Sequence, residues 1–247
     1  MNLLTHILFT GLLCFSSAGA TSTGVTVLID PGHGGTEISG SAAARTLSSP
    51  NNAKTPSGLL EKDLALELCK EISLSLKRKG FNVVMTRMDD SNPDFRKRAL
   101  IASQVRPSAI VSVHFNASKG HSALGTLSMI AAEERNPNYA TDLAFAQGLT
   151  QAISGAVSRF VSGSKPRAVI SDEHLHGGLG SNFFHQLTEF SELRDTPKCF
   201  LEVEFIDRSD VEKQLIARRK EAFPQIADAL ADYLSNYFSK ETSALQD

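Results

Sequence analysis

The chain reads as a single α/β domain built on a mostly parallel, twisted β-sheet with helices on both faces. Three observations predict it. Strand-like runs at residues 25–30, 81–87, 109–115, 125–130 and 199–206 alternate with helical patterns at 61–79, 94–105, 138–160 and 221–239, the rhythm of successive βαβ units. The leading runs are β-branched and apolar, as strands covered on both faces should be. The 247 residues suffice for one sizeable core, and neither a repeat nor a low-complexity linker divides them.

Taken in order, the first strand ends at Leu28-Ile29-Asp30-Pro31-Gly32-His33-Gly34-Gly35, where Pro31 stops the run and the glycines let the backbone bend. His33 therefore lies just past a strand's carboxyl end. Next, Gly58-Leu59-Leu60-Glu61-Lys62-Asp63 leads into the amphipathic run Leu64, Leu68, Ile72, Leu76, which puts Glu61 in a helix's first turn, where the macrodipole favours a carboxylate. A second buried-type strand, Ala109-Ile110-Val111-Ser112-Val113, is followed by His114 and then Asn116. In open α/β sheets the functional crevice lies outside the carboxyl ends of the strands, so His33 and His114 are expected to be neighbours. Two imidazoles and one carboxylate would hold one Zn2+ with a free fourth position, the arrangement of a catalytic rather than a structural site. The same residues also suit ordinary loop histidines and a solvated helix-capping glutamate, because they are far apart in sequence, unlike the ligands of a His-Glu-x-x-His helix.

The ordered set from Ile29 to Gly35, then Glu61-Lys62-Asp63, Val83 through Thr86-Arg87, Arg98, and Val111-Ser112-Val113-His114-Phe115-Asn116-Ala117 resembles the zinc-dependent N-acetylmuramoyl-L-alanine amidases of the cell-wall hydrolase type. A late element, Cys199-Phe200-Leu201-Glu202-Val203-Glu204-Phe205-Ile206, looks like the family strand that ends in the catalytic glutamate. The resemblance runs from about residue 25 to residue 238. It implies zinc on His33, Glu61 and His114, and Glu202 as the catalytic acid–base. The implied reaction is cleavage of the amide between N-acetylmuramic acid and L-alanine of peptidoglycan by zinc-activated water. Asp30 and Asp63 would stand behind the ligands, with a turn-forming carboxylate and helix-terminal electrostatics as their plainer roles. Asn116 would hydrogen-bond within its turn, and Arg87 and Arg98 would buttress the sheet or pair with acidic neighbours. The rival readings are a catalytically silent wall-binding module, against which Glu202 argues, and a zinc peptidase acting on the stem peptides.

Four departures from the family pattern carry further expectations. Glu204 replaces the usual glycine and would share a strand face with Glu202 if no bulge intervenes, either repelling it or recognising an amine on the peptide stem, unless the strand has ended and Glu204 is solvated. Residues 36–57 form a long Ser, Ala, Thr, Asn and Pro-rich loop expected to be mobile, as a lip over the substrate groove or a surface insertion. Asp172-Glu173-His174-Leu175-His176-Gly177-Gly178 suits a substrate-contacting or plain surface loop better than a second metal site. His121 and His185 show no evident partner. Residues 131–165 contain only the one expected helix, which points to an enzyme without a blocking helix; no motif implies an activator protein, and none excludes one.

Residues 1–20 lack Asp, Glu, Lys and Arg, carry an apolar stretch from Leu3 to Phe15 and end in Ala18-Gly19-Ala20. This reads as a signal peptide cleaved after Ala20, too short for a membrane span, although its n-region lacks the usual lysine or arginine; a buried N-terminal element is the alternative. Leu13 before Cys14 speaks against a lipoprotein. The expected organisation is thus signal peptide 1–20, catalytic domain 21–240 and tail 241–247, exported to the periplasm or the cell exterior. With 25 basic and 27 acidic residues, the chain offers no polyanion-binding stripe, which argues against nucleic acid as a partner. Cys69 and Cys199 are expected as two buried thiols rather than a disulfide.

Overall fold

A computed structural model describes residues 23–244; the expected signal peptide lies outside the described residues. Six strands, β1 (Thr26–Pro31), β2 (Asn82–Met85), β3 (Ala109–Asn116), β4 (Leu127–Ile130), β5 (Ile170–Ser171) and β6 (Lys198–Phe205), form one sheet in the order β2-β1-β3-β6-β4-β5. β2, β1, β3 and β6 run parallel, whereas β4 is antiparallel to β6. The chain moves from β1 outward to β2 and then crosses back to β3, so β1 and β3 flank the switch point at which such sheets open a crevice.

The alternation of side chains along each strand sorts two cores. Val27, Ile29, Val111, Val113, Leu201 and Val203 face one side, with α1 (Glu61–Arg78), α3 (Tyr139–Val157) and α6 (Arg219–Ala244) packed over them. The α1 stripe Leu64, Leu68, Ile72 and Leu76 is buried as its helical spacing requires. Leu28 and Ile110 face the other side, under α2 (Phe95–Val105) and α4 (Asn182–Thr188). Asp94 caps α2 by accepting from the Lys97 amide at 2.8 Å.

The two-residue β5, α4 and the short α5 (Ser209–Val211) were not foreseen, and α6 runs on to Ala244. Residues 131–165 hold a 3-10 turn at Glu133–Arg135 and the single helix α3. Cys69 and Cys199 are both buried and unbridged, and burial pushes both thiols up. Among the described residues no helix is long and apolar enough to cross a membrane.

The 36–57 loop corrects its expectation of mobility. It is pinned by a Ser39–Ser48 bridge, by the Arg45 guanidinium on the Leu179 and Gly180 carbonyls (2.8 and 3.1 Å), and by Gln186 donating to the Ala44 carbonyl at 3.0 Å. The Arg45 and Gln186 ties join segments more than a hundred residues apart.

Candidate metal centre

Three adjacent parallel strands deliver the site. His33 lies two residues past β1, His114 near the end of β3, and Glu202 on β6 directly opposite His114. Glu61, the first residue of α1, reaches the same point, and one ligand atom from each of His33, Glu61 and His114 lies within 4.8 Å of the others. Glu61 Oε1 is 3.1 Å from His33 Nε2 and 2.9 Å from His114 Nδ1, and the two imidazole rings meet edge to face with centroids 4.8 Å apart.

The outer hydrogen bonds settle what these atoms offer. His33 Nδ1 lies 3.0 Å from the Ser49 carbonyl, which can only accept, so the proton sits on Nδ1 and the Nε2 lone pair faces inward. Ser112 Oγ donates to Asp30 Oδ2 at 2.6 Å, which leaves it as the acceptor for His114 Nε2 at 3.2 Å and frees the Nδ1 lone pair. Glu61 Oε2 is taken by the Ala53 amide at 2.8 Å. Burial pushes His114 down to about 4, keeping the imidazole neutral. Two inward lone pairs and a carboxylate oxygen therefore crowd one point, an arrangement that repels itself unless a cation occupies the centre. The donor set fits a divalent ion. Replacing Ser112 by Ala removes the acceptor that orders the His114 tautomer, and should lower divalent-ion affinity by about 10- to 100-fold in a chelator competition while the far-ultraviolet spectrum stays unchanged.

The backbone around His33 is forced. His33 has φ 59°, a left-handed conformation uncommon for any residue but glycine, at a cost of about 1–3 kcal/mol. Two buried arginines hold it there. Arg98 donates to the carbonyls of Pro31 (2.9 Å) and His33 (2.9 Å), and Arg87 to those of Pro31 (3.0 Å) and Gly32 (2.7 Å). Gly32 is required by close approach, since a Cβ there would stand 2.2 Å from the His114 ring. Phe200 stacks on the opposite ring face with centroids 3.7 Å apart.

The expected supporting residues separate. Asp30 is buried beneath His114, paired with Arg98 at 2.7 Å and hydrogen-bonded by Thr86 and Ser112. Asp63 is exposed on α1, and no hydrogen bond or ion pair joins it to either histidine, so helix-terminal electrostatics is the role left to it. Its neighbour Lys62, passed over in the sequence, instead pairs with Asp90 at 2.7 Å and lends its carbonyl to Arg87 at 2.8 Å. Asn116 Oδ1 accepts from the Ala117 amide at 2.8 Å.

Glu204 is a correction on each count. One extra residue in β6 between the His114–Glu202 and Asn116–Phe205 pairs forms a bulge, and Glu204 is neither on the face of Glu202 nor solvated. Its oxygens are filled by the Gly125 amide (2.6 Å), the Phe205 amide (2.8 Å) and the Ser164 hydroxyl (2.5 Å).

The cleft beside the centre, about 270 Å³, is lined by Asn52, Ala53, Phe115, Asn116, Phe200 and Glu202 as well as His33, Glu61 and His114. Glu202 is partly open to it, yet Oε2 is buried without a hydrogen-bond partner. Burial, reinforced by the Glu61 charge, pushes the Glu202 carboxyl well above the usual range. His174 and His176 join no second cluster among the described residues. Sequence reasoning also missed a pairing: His121 Nδ1 lies 2.8 Å from Asp207 Oδ2.

Fold and site together define an α/β protein with a two-histidine, one-carboxylate centre open on the side of a glutamate. A family-wide sequence profile for N-acetylmuramoyl-L-alanine amidase matches residues 27–236, and the chain belongs to that family. Among solved structures, AmiC2 of Nostoc punctiforme is similar at 24% identity and a TM-score of 0.63, covering 88% of this chain and 99% of that one. The catalytic domain of CwlV from Bacillus (Paenibacillus) polymyxa var. colistinus is similar at 21% identity and a TM-score of 0.64, covering 87% and 98%. At these identities the likeness is one of fold. The probable cell wall amidase LytH of Staphylococcus aureus is 33% identical over 102 residues, a stretch that is 41% of this chain and only 30% of that protein.

Proposed function

We propose that this protein is a zinc-dependent peptidoglycan hydrolase that cleaves the amide between N-acetylmuramic acid and the L-alanine of the stem peptide. The observation that carries the reading is the convergence of two imidazole nitrogens and the Glu61 carboxylate beside Glu202, whose buried Oε2 has no partner. Family membership supplies the substrate class. Zinc, when bound, polarises the scissile carbonyl and lowers the pKa of water to about 7.

The remaining work falls to the chain. His33, Glu61 and His114 come from three segments fixed by their outer hydrogen bonds, so the centre is preorganised. Glu202, on the strand next to His114, takes the proton from the attacking water as its oxygen adds to the carbonyl carbon. The raised proton affinity of a buried carboxyl suits it to hold that proton. As the C–N bond breaks, Glu202 returns the proton to the departing alanine amine. Phe200 presents apolar surface to the cleft. Action on a wall polymer places the enzyme outside the cytoplasmic membrane, in line with the expectation for residues 1–20.

Digestion of purified peptidoglycan tests this. Intact stem peptides freed from glycan are the expected products, abolished by chelation and restored by zinc, with about one zinc per chain by elemental analysis. Loss of terminal stem residues would make the protein a peptidase instead. Absence of any product would leave a wall-binding module.

A further inference from the structure

His33 is constrained at its ring and at its backbone, and both constraints lead back to one side chain outside the cleft. The ring leans on Ser49, with Nδ1 3.0 Å from the carbonyl and 3.0 Å from the hydroxyl. The backbone hangs on Arg98, whose Nη2 donates to the His33 carbonyl at 2.9 Å. Asn92, in the turn between β2 and α2, touches both supports. Its Oδ1 accepts from the Ser48 hydroxyl at 2.8 Å and from the same Arg98 Nη2 at 3.3 Å. Its Nδ2 donates to the carbonyls of Glu37 and Ser48, each at 3.0 Å.

These four bonds exhaust the amide and fix the way it points, since carbonyl oxygens only accept and a guanidinium only donates. The Glu37 and Ser48 carbonyls bracket the excursion 38–47, so the amide closes its neck. The Ser39–Ser48 bridge joins the two arms of the neck to each other, whereas Asn92 joins them to the body of the domain. Residues 40–44 are exposed, so apolar burial does not hold the excursion in place. Ser49 follows the clasp directly. On its far side the Gly34 amide donates to the Pro50 carbonyl at 3.1 Å, which leaves Ser49 between a backbone tie and a side-chain tie. The turn after His33 packs on the same place, for a Cβ at Gly34 would collide with the Ser91 carbonyl oxygen.

We propose that Asn92 is a positioning residue for the ion site: by clasping the loop neck it sets the Ser49 carbonyl against His33 Nδ1, and so keeps His33 Nε2 turned toward Glu61. The inference rests on the proposed reading of His33, Glu61 and His114 as a zinc site. Asparagine suits the task because it offers two donors and an acceptor on one short, flat group. Aspartate would set a charge against two carbonyl oxygens, and alanine would leave both without the donor.

The test compares Zn2+ affinity, by competition with a chromophoric chelator, in folded wild type, Asn92→Asp, Asn92→Ala and Arg45→Ala. Asn92→Asp is nearly isosteric and keeps the acceptor for Ser48 and Arg98 while turning both Nδ2 contacts into repulsion. Its added negative charge would by itself favour a nearby cation, so a weaker hold on Zn2+ reports lost geometry. Both Asn92 variants should bind Zn2+ about tenfold more weakly than wild type. Hydrogen exchange should quicken at the Ser39 and Ser48 amides and stay unchanged at Leu28 and Ile29 in β1. Arg45→Ala releases the loop at its far contact, and the Phe95 amide on the Thr46 carbonyl (3.0 Å) still lies between that contact and the neck. Its Zn2+ affinity should therefore stay within about twofold of wild type. Wild-type affinity in the Asn92 variants overturns the clasp, as does an equal loss in Arg45→Ala, which would make any loosening of the loop sufficient. A wild-type chain that takes up no Zn2+ removes the zinc reading itself. If Asn92→Asp does not fold, Asn92→Ala decides; loss of the fold in both makes Asn92 a folding determinant and overturns the positioning role.

Discussion

Glu202→Gln lowers the rate of stem release by about 10²- to 10⁴-fold and leaves ion binding intact, as assayed by muropeptide release and metal analysis of the same sample. The expectation follows from its place. Glu202 faces the cleft but contributes none of the three converging donor atoms, so the ion loses nothing when its charge goes. Glutamine keeps the volume and the polar contact surface but can neither accept nor return a proton. Stability should be unchanged or higher, because the wild-type group suffers burial and the Glu61 charge together, and a neutral amide escapes both. A variant that retains about a tenth of the rate or more would remove Glu202 from proton transfer and require another base.

Arg98→Leu costs about 3–5 kcal/mol of folding stability, because it strands the carboxylate of Asp30 in the core. Arg98 is 1% exposed and Asp30 fully buried, and the same guanidinium also serves the Pro31, His33 and Pro93 carbonyls. The deficit should depend on pH with a definite sign. In the wild type, burial pushes the Asp30 carboxyl up, but the Arg98 charge and the hydrogen bonds from Ser112, Thr86 and Arg98 hold it below the ordinary value. That contribution is complete above the unfolded carboxyl pKa and fades as pH falls through the lower folded value. Without Arg98, burial dominates and the folded value rises, so protonation relieves the variant. The gap between the two urea midpoints should therefore narrow between pH 7 and about pH 4. A gap of equal size at both ends, or a loss under about 1 kcal/mol, would mean that Asp30 finds another partner.

Much of the frame was legible because its signals are local. β1 and β3 match their apolar runs to within a residue, since Pro31 and Pro107 punctuate Val and Ile-rich stretches, and α1 follows its 3.6-residue stripe. The convergence of His33, Glu61 and His114 was readable because each stands at a strand end or helix start, where an α/β sheet gathers function. What stayed hidden is non-local. β5 has two residues and no periodicity to betray it, and its neighbour Asp172 acts by knotting the Ala132 and Ser181 amides together. Glu204 was misplaced because a bulge breaks the alternation that sequence spacing assumes. The 36–57 loop has the composition of a mobile segment, but its anchors at Leu179, Gly180 and Gln186 are more than a hundred positions away. The Asp30–Arg98 pair spans 68 residues and rests on the sheet already being formed.

The donors at positions 33, 61 and 114 meet only after β1, α1 and β3 have docked, and the left-handed turn at His33 holds only once Arg87 and Arg98 are seated. An unfolded chain thus presents two imidazoles and a carboxylate as isolated, weak chelators. If the polypeptide is threaded through a membrane in an extended state, it carries no mineral cargo with it, and any ion this centre takes up must be captured from whatever trace-element supply bathes the far side.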